Sequence, residues 1–167
     1  MKKILMILSI FLAVGLTLGA VSAFDLNFDF SAESNSVSNS DGGQVEYNDG
    51  ELTIQDLDFN IPDGYKENSS DKRVAVDAGE KFKGYLLSAD GFDKGSDYIN
   101  VKVIFDEDDD LDNDSYIAPE DAVAKKIADH DGYLGEYYDE VVFDYFDDGK
   151  FVEVIAPDES VISSVIS

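Results

Sequence analysis

Residues 141–155 constrain the fold more than any other stretch of this chain. Val141-Val142-Phe143-Asp144-Tyr145-Phe146 and Phe151-Val152-Glu153-Val154-Ile155 are β-branched and aromatic runs, separated by Asp147-Asp148-Gly149-Lys150. Asp-Gly at the centre of so short a connection favours a type I′ turn, whose twist matches that of the flanking strands. A two-residue turn fixes the register. Phe146 then opposes Phe151, Tyr145 opposes Val152 and Phe143 opposes Val154. Val141, Phe143, Tyr145, Val152 and Val154 share one face, the expected core side. The same register sets Asp144 against Glu153. Like charges directly opposite are destabilising, so a lysine, a metal ion or solvent has to relieve them.

The period-2 pattern recurs upstream. Residues 44–47 are expected as a short strand before the turn Asn48-Asp49-Gly50. Leu52 and Ile54 alternate, then Leu57, Phe59 and Ile61 alternate in the opposite phase. The change at Gln55-Asp56 predicts a bulge or tight turn. Val74 and Val76 mark a strand over 73–77, with further strands over 82–88 and 98–105. In the last of these Ile99, Val101, Val103 and Phe105 share one face, with Lys102 on the other. Residues 90–95 are expected as the hairpin loop between those two strands.

Two helices are expected. Pro119 suits a first helical position, Glu120 and Asp121 suit the positive end of the dipole, and Gly132 suits a stop. Ala122, Val123, Ile127 and Ala128 supply a narrow apolar stripe. Pro157, Asp158 and Glu159 repeat the start signal, followed by Val161, Ile162, Val165 and Ile166 on one face. The predicted class is therefore α+β: an antiparallel sheet with two helices packed on one face.

The N-terminal end has the pattern expected of an export signal. Lys2 and Lys3 precede an uncharged run over residues 4–23, and Val21-Ser22-Ala23 offers small residues at the cleavage positions. A signal peptide over 1–23 is expected, with Phe24 as the first mature residue. An uncleaved anchor is the alternative, since about 20 helical residues reach about 30 Å. Either reading places the domain across the membrane, secreted or at the cell surface. Residues 24–50 are assigned to an N-terminal strand and a Ser/Asn/Gly-rich linker, and 51–167 to the acidic domain. Phe24, Leu26, Phe28 and Phe30 alternate with polar residues, as a strand docking on the sheet requires.

Phe59-Asn60-Ile61-Pro62-Asp63-Gly64-Tyr65, Gly132-Tyr133-Leu134-Gly135 and residues 148–158 (DGKFVEVIAPD) in that order resemble small exported proteins of methanogenic archaea. The resemblance covers roughly residues 52–166. Its motifs are turn and core residues, so it implies a shared fold and carries over no catalytic residue. The element order is also similar to the PsbP/Mog1-like α+β sandwich.

Charge narrows the partners. Asp and Glu number 37 against 12 Lys and Arg, and loss of Lys2 and Lys3 with the leader takes the formal net charge from −25 to −27. Such a field repels nucleic acid and anionic lipid and attracts cations and basic partners. No membrane association is expected after cleavage. The absence of Cys excludes disulfides, zinc–thiolate sites and cysteine nucleophiles.

The densest acidic run, 106–114, places Asp108, Asp110, Asp112 and Asp114 at alternating positions, as oxygen ligands of calcium often stand. It is not an EF-hand: the twelfth position is Pro119. A solvated acidic loop is the other reading, and no other cofactor is expected. His130, the lone histidine, is expected at a helix end rather than in a catalytic or metal role. No Gly-x-Ser-x-Gly elbow or phosphate loop occurs. Asn68-Ser69-Ser70 and Asn113-Asp114-Ser115 are glycosylation sequons. Tyr133, Tyr137 and Tyr138 are candidates for a sugar platform, with core and edge packing as their other use. The expected function is a non-catalytic exported or cell-surface domain binding a wall component, a protein or a small ligand. The alternatives are an exported carboxylate-dependent hydrolase and a weak calcium-binding surface protein.

Overall fold

The computed structural model of the chain describes residues 44–108, 110–111 and 116–167. The expected signal peptide, the strand over 24–30 and most of the linker lie outside these residues. The described chain is built mainly from antiparallel strands. They run β1 (Val45–Asn48), β2 (Glu51–Ile54), β3 (Leu57–Asn60), β4 (Lys66–Glu67), β5 (Arg73–Asp77), β6 (Leu86–Lys94), β7 (Asp97–Phe105), β8 (Val123–Ile127), β9 (His130–Tyr137), β10 (Glu140–Asp147) and β11 (Lys150–Ala156). A 3-10 turn covers Glu80–Phe82, and one short helix, α1 (Glu159–Val165), follows β11.

Strands β1, β2 and β3 form a small sheet in sequence order. The large sheet has the order β4-β6-β7-β11-β10-β9-β8, with β5 also paired to β6. Tight turns set much of this. Asp49 and Gly50, and Asp148 and Gly149, have positive φ at both central positions, as a type I′ turn requires. Gln55 and Asp56 do the same between β2 and β3, which explains the change of phase read there. The β10–β11 register agrees with the sequence reading: Phe146 faces Phe151, Tyr145 faces Val152, Phe143 faces Val154 and Asp144 faces Glu153. Strand β1 lies on the linker side of residue 50 and pairs with β2 through Val45 and Ile54, so the small sheet begins before Glu51.

Strand alternation gives the large sheet two different faces. One carries Phe92, Ile99, Val101, Val103, Phe143, Tyr145, Val152 and Val154. The small sheet, through Leu52, Ile54, Leu57 and Phe59, and α1, through Ile162 and Val165, pack on this face and complete the main core. Helix α1 starts where expected. Asp158 Oδ1 accepts hydrogen bonds from the Ser160 and Val161 backbone N–H groups at 2.8 and 3.0 Å. The opposite face holds a smaller cluster of Ile104, Phe151, Phe82, Tyr85 and Leu111.

The α+β expectation, with two helices packed on one face in PsbP/Mog1-like fashion, is overturned: the described residues are mostly β, with a single short helix among them. The segment expected as the first helix is strand β8. Val123 and Ile127 are four apart, and a spacing of four puts two residues on one side of a helix or of a strand alike. Pro119 marks a turn instead, with the Ala122 N–H donating to the Pro119 carbonyl at 3.1 Å. Pairing along the whole of β8, with residues 130–134 of β9, decides between the two periods. Gly132, expected as a helix stop, lies inside β9. A Cβ there would come within 2.7 Å of Phe143 Cζ, so glycine permits β9 to approach β10 closely. The loop expected at 90–95 is also strand: β6 runs to Lys94 and the turn falls at Gly95-Ser96.

Candidate functional site

The registers of four adjacent strands place Lys102, Glu153, Asp144 and Tyr133 in one row across the large sheet, on the face away from the small sheet. The like-charge pair foreseen in the hairpin is thus real, and two neighbours relieve it. Lys102 Nζ donates to Glu153 Oε1 at 2.6 Å. Tyr116 Oη donates to Asp144 Oδ2 at 2.5 Å. Tyr116 reaches the row from the segment before β8, and its ring lies 5.5 Å from Tyr133, 5.8 Å from Phe146 and 5.5 Å from Phe151.

The row grades from closed to open. Asp144 is 8% exposed, whereas the Lys102 and Glu153 side chains are 34% and 22% exposed. Burial alone would lower the Lys102 ammonium, but Glu153 beside it outweighs that and raises its pKa. Burial first, and then the Asp144 carboxylate, push the Tyr116 phenol upward, so it remains a proton donor at neutral pH. Tyr137, four residues beyond Tyr133 on the same strand face, is exposed, as is Tyr138 in the following turn, with the Tyr137 and Tyr138 ring centroids 5.0 Å apart. Tyr133 itself is half-buried. The candidate aromatic platform is therefore divided, with one ring packed into the row and two open to solvent.

A second polar group lies at the far edge of the same sheet, on the core side. Asp90 is fully buried. Its Oδ1 accepts from the Gly91 N–H at 2.9 Å, while its Oδ2 has no hydrogen bond and lies 3.5 Å from Lys72 Nζ. Lys72 also bonds Glu67 Oε1 at 2.9 Å. Burial pushes the Asp90 carboxyl up to about 6 against the opposing pull of the Gly91 N–H and Lys72. The sequence reading missed this group because it treated Asp90 as a loop residue. It also missed Tyr116, and it placed Lys102 on the polar face without seeing its partner.

The expected calcium ligands fall differently. Asp112 and Asp114 lie outside the described residues. Asp108 is exposed, and its N–H bonds Asp106 Oδ1 at 3.1 Å. Asp110 packs on the β10–β11 turn, where a Cβ on Gly149 would lie 2.5 Å from its Oδ1, and the next residue, Leu111, donates its N–H to the Gly149 carbonyl at 2.7 Å. Among the described residues no three His, Asp or Glu side chains converge as a metal site. His130 opens β9, with its ring 4.5 Å from Tyr145 and its Nδ1 3.9 Å from Asp147. Asn68 sits in a surface turn, its Oδ1 accepting from Ser70 Oγ at 2.6 Å, and the Asn113 sequon lies outside the described residues. No family model matches the chain, and no curated protein and no solved structure matches it.

Proposed function

We propose that this chain is a non-catalytic exported or cell-surface domain that binds an extracellular ligand on the open end of the Lys102–Glu153–Asp144–Tyr133 row. The supporting observation is that its charged groups are held by one another and flanked by tyrosines. Lys102 and Glu153 fix each other at 2.6 Å while staying partly open, and Tyr137 stands exposed further along the face of β9 that carries Tyr133. Fixed donors and acceptors next to aromatic rings suit a polyhydroxylated ligand, such as a wall glycan, because little side-chain freedom is lost on binding. The hydrolase reading needs two available carboxylates. Asp144 is buried and hydrogen-bonded by Tyr116, and Glu153 is bonded to Lys102, which favours binding over catalysis.

Titration of the labelled protein with soluble wall-polysaccharide fragments, followed by amide and side-chain NMR, tests this reading. Saturable shifts around Tyr133, Tyr137 and Lys102, weakened at least tenfold by Tyr137→Ala with Glu153→Gln, are expected. Shortened oligosaccharides appearing during the titration would establish the hydrolase instead. Shifts confined to other surfaces would remove the row as the site.

A further inference from the structure

We propose that residues 24–30 of this chain add to the outer edge of β8 as a further strand of the large sheet. Phe24, Leu26, Phe28 and Phe30 would extend the main core, and Asp25 and Asp29 would lie on the side of Lys126.

The edge itself requires an account. Strand β8 pairs with β9 on one side, and among the described residues no strand pairs with the other. An open edge offers unpaired N–H and C=O groups to any extended segment. Its two sides differ in kind. On the core side Val123 is 65% exposed, next to its partner Leu134, which packs against the main core. Lys125, also on that side, is held by Glu159 at the start of α1. On the other side Lys126 is exposed and makes no ion pair among the described residues, in a chain of net charge −25. A shallow groove lined by Ala124, Lys125, Lys126, Asp131, Gly132 and Tyr133 runs along this margin. A complementary strand therefore has apolar residues at alternate positions and acidic ones between them.

Residues 24–30 (FDLNFDF) have that pattern. Other edges fit them less well. The outer side of β6 is taken by β4 and β5. The small sheet presents Glu46 on β1 and Asp58 on β3, both exposed, and Asp25 or Asp29 beside them would set like charges together. A second copy of β8 would set lysines against lysines. Distance is no obstacle: the 13 residues 31–43 span up to about 45 Å when extended, against a radius of gyration of about 14 Å for a domain this size. Attachment to the same chain also gives the segment an effective concentration that a free peptide lacks.

The lack of native cysteine allows a direct test in the full chain. Asn27→Cys is paired in turn with Ala124→Cys on β8 and with Glu46→Cys on β1, and the proteins are oxidised and run without reductant. An intramolecular cross-link to position 124, at least tenfold more abundant than to position 46, is expected. In parallel, Phe28→Glu should speed amide exchange across β8 at least tenfold and leave β10 and β11 unchanged. Disulfide-linked dimers would overturn the proposal in favour of exchange between copies. Equal cross-linking to both positions, or β8 exchange unaffected by Phe28→Glu, would overturn it outright.

Discussion

Lys102 Nζ and Glu153 Oε1 meet at 2.6 Å across the β7–β11 ladder, one strand away from the carboxylate of Asp144. The hairpin sets two acids against each other, and a third strand, distant in sequence, supplies the cation that allows it. Removing the cation leaves the repulsion. Lys102→Met should therefore destabilise the fold by about 1–2 kcal/mol, a modest figure because the pair is partly open to water. Adding Glu153→Leu removes the stranded charge and should recover most of the loss. Urea unfolding of the wild type, the single and the double variant measures both steps. A double variant no more stable than Lys102→Met would mean that the lysine acts through packing of its stem rather than through Glu153.

Asp90 yields a pH dependence with a definite sign. Its folded pKa is raised to about 6 from an ordinary 3.8, so between those values the folded chain keeps a proton that the unfolded chain has released. Its contribution to stability is therefore fully present below about pH 4 and is lost as pH rises towards 6. Above that the buried carboxylate costs on the order of 2–3 kcal/mol, with the pull of Lys72 already included. Asn keeps the acceptor for the Gly91 N–H, so Asp90→Asn should stabilise the protein at pH 7 and flatten the pH 4–6 slope. Asp93→Asn, an exposed change on the same strand, removes the same formal charge as a control. Thermal melts from pH 4 to 7.5 compare the two. Identical curves would show that Lys72 compensates Asp90 fully.

Gly132 and Gly135 lie three residues apart on β9 and differ in what a side chain would meet. A Cβ at Gly132 would press on Phe143 and the Asp144 carbonyl, with Phe143 Cζ at 2.7 Å, whereas at Gly135 the nearest atom is Val142 Cγ1 at 3.5 Å. Gly132→Ala should cost about 3 kcal/mol, because β9 must move off β10 or Phe143 must leave its packing. Gly135→Ala should be near neutral. Denaturant midpoints of the two variants check the contrast, and similar losses would show that β9 is less rigidly seated than its contacts imply.

Local chemistry made some elements legible in the sequence and hid others. The β10–β11 register could be read because Asp148-Gly149 specifies a turn and the turn specifies every pair after it. The opposition of Asp144 and Glu153 followed from that alone. Strand β8 could not be read in this way. Pro119, Glu120 and Asp121 are helix-start residues, and only the open side of β9 selects a strand. Lys102–Glu153 and Lys72–Asp90 were hidden for a related reason. Each joins strands or loops far apart in sequence, and no turn residue announces which strand lies beside which. A prior alignment of β7 against β11 would have exposed the first pair, since Lys102 already stood out as the cation on a polar face.

The response of the acidic run to salts separates screening from calcium binding. A net charge of −25 on one small chain repels itself more in the compact state than in the expanded one, so folding opposes it. Monovalent salt screens such repulsion over a Debye length of about 10 Å at 0.1 M. The melting midpoint should therefore rise with sodium chloride. Calcium acts beyond screening only if it binds the folded chain and shifts unfolding by mass action. Asp110 packs on the Gly149 turn while Asp108 is exposed in its own local turn. That arrangement favours screening, and midpoints in sodium, magnesium and calcium chloride at matched ionic strength should coincide within error. Extra stabilisation by calcium that disappears in the Asp108→Ala, Asp110→Ala, Asp112→Ala variant would instead place a calcium site in the run. A midpoint that falls as sodium chloride rises would contradict the electrostatic reasoning itself, because screening of like charges cannot favour the expanded chain.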